Sequence, residues 1–138
     1  MVTSSVKPQL DVEALKNWPD ITEPAISSNG MYVSYTIEEP FIGNRSLFVR
    51  AINGNWEKRF AGASDGFFSD NNRLFIYRSA DTLSFLTLGT DSISRVSGIL
   101  GTRSPELAKG KWVAYQLNNP EKELDLCKPY YWKKKTIQ

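Results

Sequence analysis

The sequence predicts an all-β protein that begins with one short helix. Three features indicate this class: short apolar runs of period two, turn residues between them, and a repeat of roughly 40 residues. With 41% hydrophobic and 23% charged residues, the 138-residue chain has the composition of a globular domain. A chain of this length buries roughly two-thirds of the surface that its unfolded form exposes.

The helix is predicted within an N-terminal segment, residues 1–20. Asp11 can cap its first turn, because the side-chain oxygen accepts a hydrogen bond from a free backbone N–H. Glu13 lies near the positive end of the helix dipole, where its charge is favourable. Pro19 lacks a backbone N–H and disfavours helical geometry in the residue before it, so we expect the helix to end at Trp18.

Seven strand-length runs follow Pro19. Each is rich in β-branched or aromatic residues, or in charges that alternate with them, and each is bounded by turn residues. The runs span residues 31–37, 45–50, 56–60, 73–77, 83–88, 93–96 and 111–115. They predict that the chain is all-β after its helix.

Three of these strands share a pattern, in which a polar turn with Gly or Asn precedes a strand that ends in tyrosine. The closing residues Tyr35, Tyr77 and Tyr115 are 42 and 38 residues apart. A second strand is expected to begin after each, near Leu47, Leu83 and Leu124. In the first two units a third strand follows and leads into a glycine, Gly62 or Gly98.

Units of roughly 40 residues with three or four short antiparallel strands are typical of β-propeller blades. We therefore predict a partial β-propeller of two to three antiparallel blades, over residues 25–62, 67–98 and 104–126. An atypical C-terminal tail, 127–138, follows them. A β-sandwich with accidental spacing is the alternative.

The charge balance argues against nucleic acid as a partner, because 17 basic and 15 acidic residues leave a net charge of only +2. No apolar run approaches the roughly 18 residues that a membrane span requires. The basic run Lys133, Lys134 and Lys135 is interpreted as part of a solvated tail. The opening residues, MVTSSVKPQLDV, lack the apolar segment of a signal peptide, which predicts either a cytoplasmic protein or a replaced signal.

The pentapeptide from Gly62 to Gly66 has the form G-x-S-x-G, which is the nucleophile elbow of α/β-hydrolases. An elbow needs a helix after the serine, and the residues after Ser64 predict a turn and a strand instead. The chain has no histidine to accept the serine's proton. We therefore predict that Ser64 is not catalytic and that Gly62 and Gly98 turn the chain between blades with a positive φ.

The remaining candidate residues predict no catalytic, metal or cofactor site. The carboxylates Glu38, Glu39, Glu121 and Glu123 are interpreted as solvated charges. Asn44-Arg45-Ser46 fits an N-glycosylation sequon, which matters only in a eukaryotic secretory pathway.

Two further candidates are weak. Asp70-Asn71-Asn72 lacks the spaced ligands and distal Glu of a calcium loop. Cys127 is the single cysteine, so no intrachain disulfide is possible, and no imidazole is present to activate it.

The stretch WPDITEPAISSNGMYVSYTIEEP, which starts at Trp18, resembles the opening of the N-terminal propeller in the prolyl oligopeptidase family of serine peptidases. Asn29 stands where the family more often has Asp. The stretches FFSDNNRLFIY and GKWVAYQLNNPEKEL resemble later blade starts of the same proteins. The resemblance covers roughly residues 10–126.

The resemblance implies two to three of the seven or eight blades usual in the family, without the catalytic domain that lies C-terminal to the propeller. It predicts a non-catalytic fragment whose reading frame is truncated or frameshifted near residue 126. The alternative is a genuine final strand in YYWKKKTI.

In the intact parent, expected in the periplasm or secreted, the propeller would gate the access of peptide substrates to the missing catalytic domain. Open blade edges predict self-association of the isolated chain. The alternative function is a stand-alone β-rich module that binds a protein or peptide.

Overall fold

The computed structural model describes residues 12–16, 18–39, 42–103, 112–117 and 131–136. A five-residue helix, Val12–Lys16, precedes the strands, and Asp11 lies outside the described residues. The strands are β1 Asp20–Ile26, β2 Tyr32–Glu39, β3 Asn44–Ala51, β4 Glu57–Ala61, β5 Ala63–Phe68, β6 Leu74–Ser79, β7 Thr82–Thr87, β8 Ile93–Val96, β9 Ile99–Arg103, β10 Trp112–Leu117 and β11 Tyr131–Thr136.

The strands form three antiparallel sheets in chain order. The first sheet is β1-β2-β3-β4, the second is β5-β6-β7-β8, and the third is β9-β10-β11. Every strand pairs with its sequence neighbour, so each sheet is a simple meander. The all-β prediction and the seven predicted strands are confirmed, and the sheets of the described residues do not close into a ring.

The first strand of each sheet was not predicted from the sequence. β1 contains Pro24 and a left-handed Glu23 (φ 52°), and β5 contains Gly66 and a left-handed Asp65 (φ 55°). Both strands shift register against their partner at these positions, which is the mark of a β-bulge. Pro, Gly and acidic residues are depleted in regular strands, so bulged strands give a weak signal.

Ser27 and Asn29 build the turn between β1 and β2. The Ser27 hydroxyl donates to Asn29 Oδ1 over 2.7 Å and accepts a hydrogen bond from the Tyr32 N–H over 3.0 Å. Asn29 Oδ1 also accepts from the Met31 N–H at 3.1 Å. Gly30 adopts the left-handed conformation, with φ 70°. A Ser and an Asn at this spacing therefore replace backbone partners within the turn.

The same turn recurs 42 residues later, between β5 and β6. The Ser69 hydroxyl donates to Asn71 Oδ1 over 2.7 Å and accepts from the Leu74 N–H over 2.9 Å. Asn71 Oδ1 accepts from the Arg73 N–H at 3.1 Å, and Asn72 takes the left-handed position with φ 56°. The repeat seen in the sequence is thus a repeat of hydrogen bonds.

The two turns also contact each other. The Ser28 hydroxyl donates to Asn72 Oδ1 over 2.9 Å, and the Asn29 N–H donates to the same oxygen over 3.3 Å. Corresponding ends of the first and second sheets are therefore adjacent.

The second sheet packs between the other two. One buried cluster joins the first and second sheets through Leu47, Val49, Ala63, Phe68, Phe75, Tyr77, Leu86 and Leu88. Another joins the second and third sheets through Ile76, Leu83, Phe85, Ile99 and Val113. Successive side chains of β6 alternate between the two clusters, as the period of a strand requires. The core is consequently two interfaces between stacked sheets.

Both glycines that were expected to turn the chain between units have a positive φ. Gly62 (φ 71°) joins β4 to β5, and Gly98 (φ 74°) joins β8 to β9. That part of the prediction is confirmed. The described residues include no helix that is long and apolar enough to cross a membrane.

β11 corrects the prediction for the basic run near the C-terminus. The prediction that these residues are part of a solvated tail is wrong, because the backbone of residues 133–135 pairs with residues 113–115 of β10. Lys135 Nζ lies 3.9 Å from the ring centroid of Phe85, which attracts a cation through its quadrupole. Residues 131–136 of the stretch YYWKKKTI form this strand.

Replacing Ser69 with alanine is expected to lower the free energy of unfolding by about 1 kcal/mol. The residue is 2% exposed, and its hydroxyl is the partner of the Leu74 N–H and of Asn71. Urea denaturation measures the change. The control is Ser28→Ala, whose exposed hydroxyl also bonds across the turns, and for which a change within about 0.5 kcal/mol is expected. Equal losses in both variants would contradict the assignment.

Candidate functional site

Ser64 lies in β5 and not at a strand-to-helix elbow. The residues after it continue the strand to Phe68 and then form the β5–β6 turn. Its hydroxyl donates to Asp65 Oδ2 over 3.2 Å. A serine nucleophile requires an adjacent general base, and the chain has no histidine to supply one. The structure provides no elbow around Ser64.

Glu23, at the bulge of β1, is the centre of a polar cluster at the β1 edge of the first sheet. Its Oε2 accepts a hydrogen bond from the Thr36 hydroxyl at 3.1 Å and a charge-assisted one from the Arg45 guanidinium. The left-handed backbone of the bulge re-aims the carboxylate toward both partners.

Glu38 is also part of this cluster, although its side chain is 41% exposed. It lies in β2, where Arg45 pairs with it across the strands, and its Oε1 is 3.4 Å from Arg45 NH1. The Thr22 hydroxyl donates to the same oxygen at 3.2 Å. Glu39, by contrast, is exposed.

The cluster stabilises the charge of its arginine. The hydrogen bond with Glu23 raises the pKa of Arg45, against the opposing effect of burial, and the charges of Glu23, Glu38 and Asp65 add to the rise. The ion pairs are partly exposed, so each contributes at most about 1 kcal/mol to stability. Their effect is chiefly to hold the guanidinium in place between two strands.

A cleft of 360 Å³ lies between the second and third sheets, beside the first strands β5 and β9. We call it the charged cleft; its polar lining residues are Asp65, Arg78, Thr102 and Arg103. Backbone oxygens hold the Arg78 guanidinium in place, because it donates to Ala80 O at 2.9 Å and to two carbonyl oxygens of β9. Groups of both signs therefore line one cavity.

The charged cleft and the Glu23 cluster occupy related positions. Glu23 and Asp65 are 42 residues apart, and both are left-handed residues at the bulge of the first strand of a sheet. In the first sheet the bulge carboxylate meets Arg45, and in the second it shares a cleft with Arg78. The repeat thus places the two carboxylates at corresponding positions, whereas Arg45 and Arg78 belong to different strands of their sheets.

A second cleft of 360 Å³ lies between the first and second sheets. Arg59, Arg95 and the hydroxyls of Ser79, Thr82 and Ser84 line it, together with Tyr77. Burial raises the pKa of the Tyr77 phenol, while hydrogen bonds with Ser84 and Arg95 and the charge of Arg95 oppose the shift. The net effect is that the folded protein holds the phenol's proton more tightly than the unfolded chain does.

The raised pKa of Tyr77 predicts a loss of stability in alkali. The folded phenol binds its proton more tightly than the unfolded one, so its contribution is fully present below the unfolded pKa of about 10. That contribution is lost as the pH rises through the folded pKa. We expect Tyr77→Phe to gain stability relative to the wild type above about pH 10, as measured by urea denaturation at several pH values. A constant difference across pH would contradict the shift.

The other sequence candidates lie outside these clefts. Asn44 is exposed at the start of β3, but Ser46 of its sequon is 7% exposed and accepts hydrogen bonds from Arg59. Asp70-Asn71-Asn72 forms the β5–β6 turn, where Asn71 is occupied by internal hydrogen bonds. In the described part of the chain no group of three or more His, Cys, Asp or Glu side chains could hold a metal ion.

Glu121, Glu123, Leu124 and Cys127 lie outside the described residues. Sequence reasoning missed the residues that form the clusters, above all Glu23, Arg45 and Arg78. The signal that could have found the first of these is the spacing of 42 residues between Glu23 and Asp65, which equals the spacing of the repeated turns.

Comparisons with protein-family models, with curated proteins and with solved structures find no match to this chain.

Proposed function

We propose that the three sheets are consecutive blades of a β-propeller, and that the chain is the non-catalytic propeller part of a prolyl-oligopeptidase-like serine peptidase. In that protein it gates the access of peptides to a catalytic domain. The observation that carries the proposal is the repeat: two four-stranded meanders with the same turn, the same bulge and the same stacking.

The order in which the sheets stack supports a propeller over a sandwich. A sandwich has two sheets that share one core, and its sheets each have one buried side. Here the second sheet is buried on both sides, by its neighbours before and after it in the chain. Successive meanders that stack in chain order are the arrangement of propeller blades.

The polar clusters support a role in peptide binding. In a propeller the first strand of each blade lies nearest the central axis, and the charged cleft opens beside β5 and β9, the first strands of their sheets. Carboxylate and guanidinium groups at such a position can hold the charged ends of a peptide. With no histidine in the chain, its contribution is to bind and not to hydrolyse.

The test is to sequence the gene and its transcript through and beyond the codon for Gln138, and to translate all three frames. The proposal expects further units with a Ser-x-Asn turn, and then a hydrolase domain that contains Ser, Asp and His. Coding sequence without further units or a hydrolase domain would overturn it.

A second candidate function is a stand-alone module that binds an extended peptide along a strand edge. The end strands of the first sheet, β1 and β4, each pair on one side only within the described residues. An extended peptide can add to such an edge through backbone hydrogen bonds. Absence of a hydrolase domain in the sequencing experiment would favour this candidate.

A further inference from the structure

The first sheet has a side that faces away from the second sheet. We call it the outward face; its apolar residues include Ile21, Ile26, Val33, Tyr35, Phe48 and Ile52. Strand pairing places Arg50, Glu57 and Arg59 on the same side, where the Arg59 guanidinium lies 5.7 Å from the Phe48 ring centroid. Ile21 is 67% exposed, Ile26 is 62% exposed and Ile52 is 48% exposed. The rings of Tyr35 and Phe48 stack on this side with centroids 5.4 Å apart. Contiguous exposed apolar residues mark surfaces that bind another molecule.

The corresponding side of the second sheet is covered by a neighbouring sheet. Each residue of the outward face has a counterpart in the second sheet. The counterparts lie 42 residues later for the residues of β1 and β2, and 36 residues later for Phe48 and Ile52. They are buried, with 0–9% exposure, and are Ala63, Phe68, Phe75, Tyr77, Ser84 and Leu88. The strand register is also the same, because Ile26 pairs with Val33 as Phe68 pairs with Phe75.

The buried face of the second sheet is covered by the other side of the first sheet. Leu47 and Val49 belong to that covering side, and the Phe60 ring stacks on Tyr77 with centroids 4.2 Å apart. The chain therefore carries both halves of a sheet–sheet contact. The outward face repeats the half that is covered.

We propose that the outward face binds the third sheet of a second copy of this chain, so that copies associate head to tail. In the third sheet Val113 is buried against the second sheet, and alternation places Ala114 on the opposite side. Trp112, Ala114 and Gln116 share that side and are half-buried. The contact is heterologous, since two different faces meet. The proposal depends on the repeat and not on the peptidase assignment.

The experiment is sedimentation velocity of the full chain over a wide range of protein concentration. Wild type is expected to associate, and Ile26→Glu is expected to weaken association at least about tenfold, because the contact would bury an unpaired charge. Ile21→Glu provides a second variant on the same face. The matched control is Ile42→Glu, which is 70% exposed in the β2–β3 turn and is expected to associate like the wild type.

Mixing two variants tests the head-to-tail geometry. Ile26→Glu blocks the outward face and leaves the third sheet intact, whereas Ala114→Glu blocks the third sheet and leaves the outward face intact. Neither is expected to dimerise alone, and the mixture is expected to form a dimer. A wild type that is monomeric throughout, association that persists in both outward-face variants, or a mixture that stays monomeric would each overturn the proposal.

Discussion

Replacing Phe75 with alanine is expected to lower the free energy of unfolding by about 3–5 kcal/mol. The ring is fully buried between the first and second sheets. It makes an edge contact with Phe68 at 4.9 Å between centroids and a stacked contact with Tyr77 at 6.2 Å. Alanine would leave a cavity where both sheets meet, and the total stability of a domain is only about 5–15 kcal/mol.

Urea denaturation with a shared slope measures this loss, provided that unfolding is two-state. Phe48→Ala is the matched control, because this ring is half-buried on the outward face and does not belong to the core clusters. A smaller loss is expected for it. If Phe75→Ala changed stability by no more than the control, the stacking of the first two sheets would be wrong.

Among the strands that the sequence predicted are the middle strands of all three sheets, β2, β3, β6, β7 and β10. Those strands are rich in aromatic and β-branched residues, since they bury one or both sides against another sheet, as Phe75 and Ile76 do in β6. The repeat was visible for a related reason. Ser69 and Asn71 satisfy backbone groups in a fixed geometry, so the turn recurs as a sequence pattern.

The first strands and the polar clusters could not be predicted in this way. Glu23 and Asp65 interrupt their strands with a left-handed residue, and a bulge has no periodic signature. Arg45 and Arg78 belong to strands whose apolar pattern predicts packing and not their charged partners. Which charges meet depends on the register between strands, which composition does not contain.

The basic run at residues 133–135 is a second case in which composition did not predict the structure. Three lysines in sequence indicate solvent, yet a strand requires only that its backbone find a partner. β10 supplies one, and a lysine stem can lie along an apolar surface with its ammonium over a ring, as Lys135 does over Phe85.

Gly66→Ala is expected to lower the free energy of unfolding by about 1–3 kcal/mol, because a Cβ there has no room. It would overlap Cζ of Phe75, lie 2.9 Å from Cε1 of the same ring, and lie 3.3 Å from Cδ2 of Leu47. The φ of Gly66 is not in the left-handed region, so space and not backbone strain is the reason for glycine. The second glycine of the G-x-S-x-G pentapeptide is therefore explained by packing.

A double-mutant cycle with Phe75→Leu separates overlap from other effects. Leucine lacks the far edge of the ring, so Gly66→Ala is expected to be less destabilising in the Phe75→Leu background than in the wild type. The control is Gly43→Ala, where the added Cβ meets no atom within 4 Å and the loss comes from a left-handed φ of 69°. Its loss is expected to be the same in both backgrounds. Additive losses for Gly66→Ala and Phe75→Leu would show that the Phe75 ring is not the reason for glycine at position 66. They would contradict the placement of this ring over Gly66 at the interface between the first two sheets.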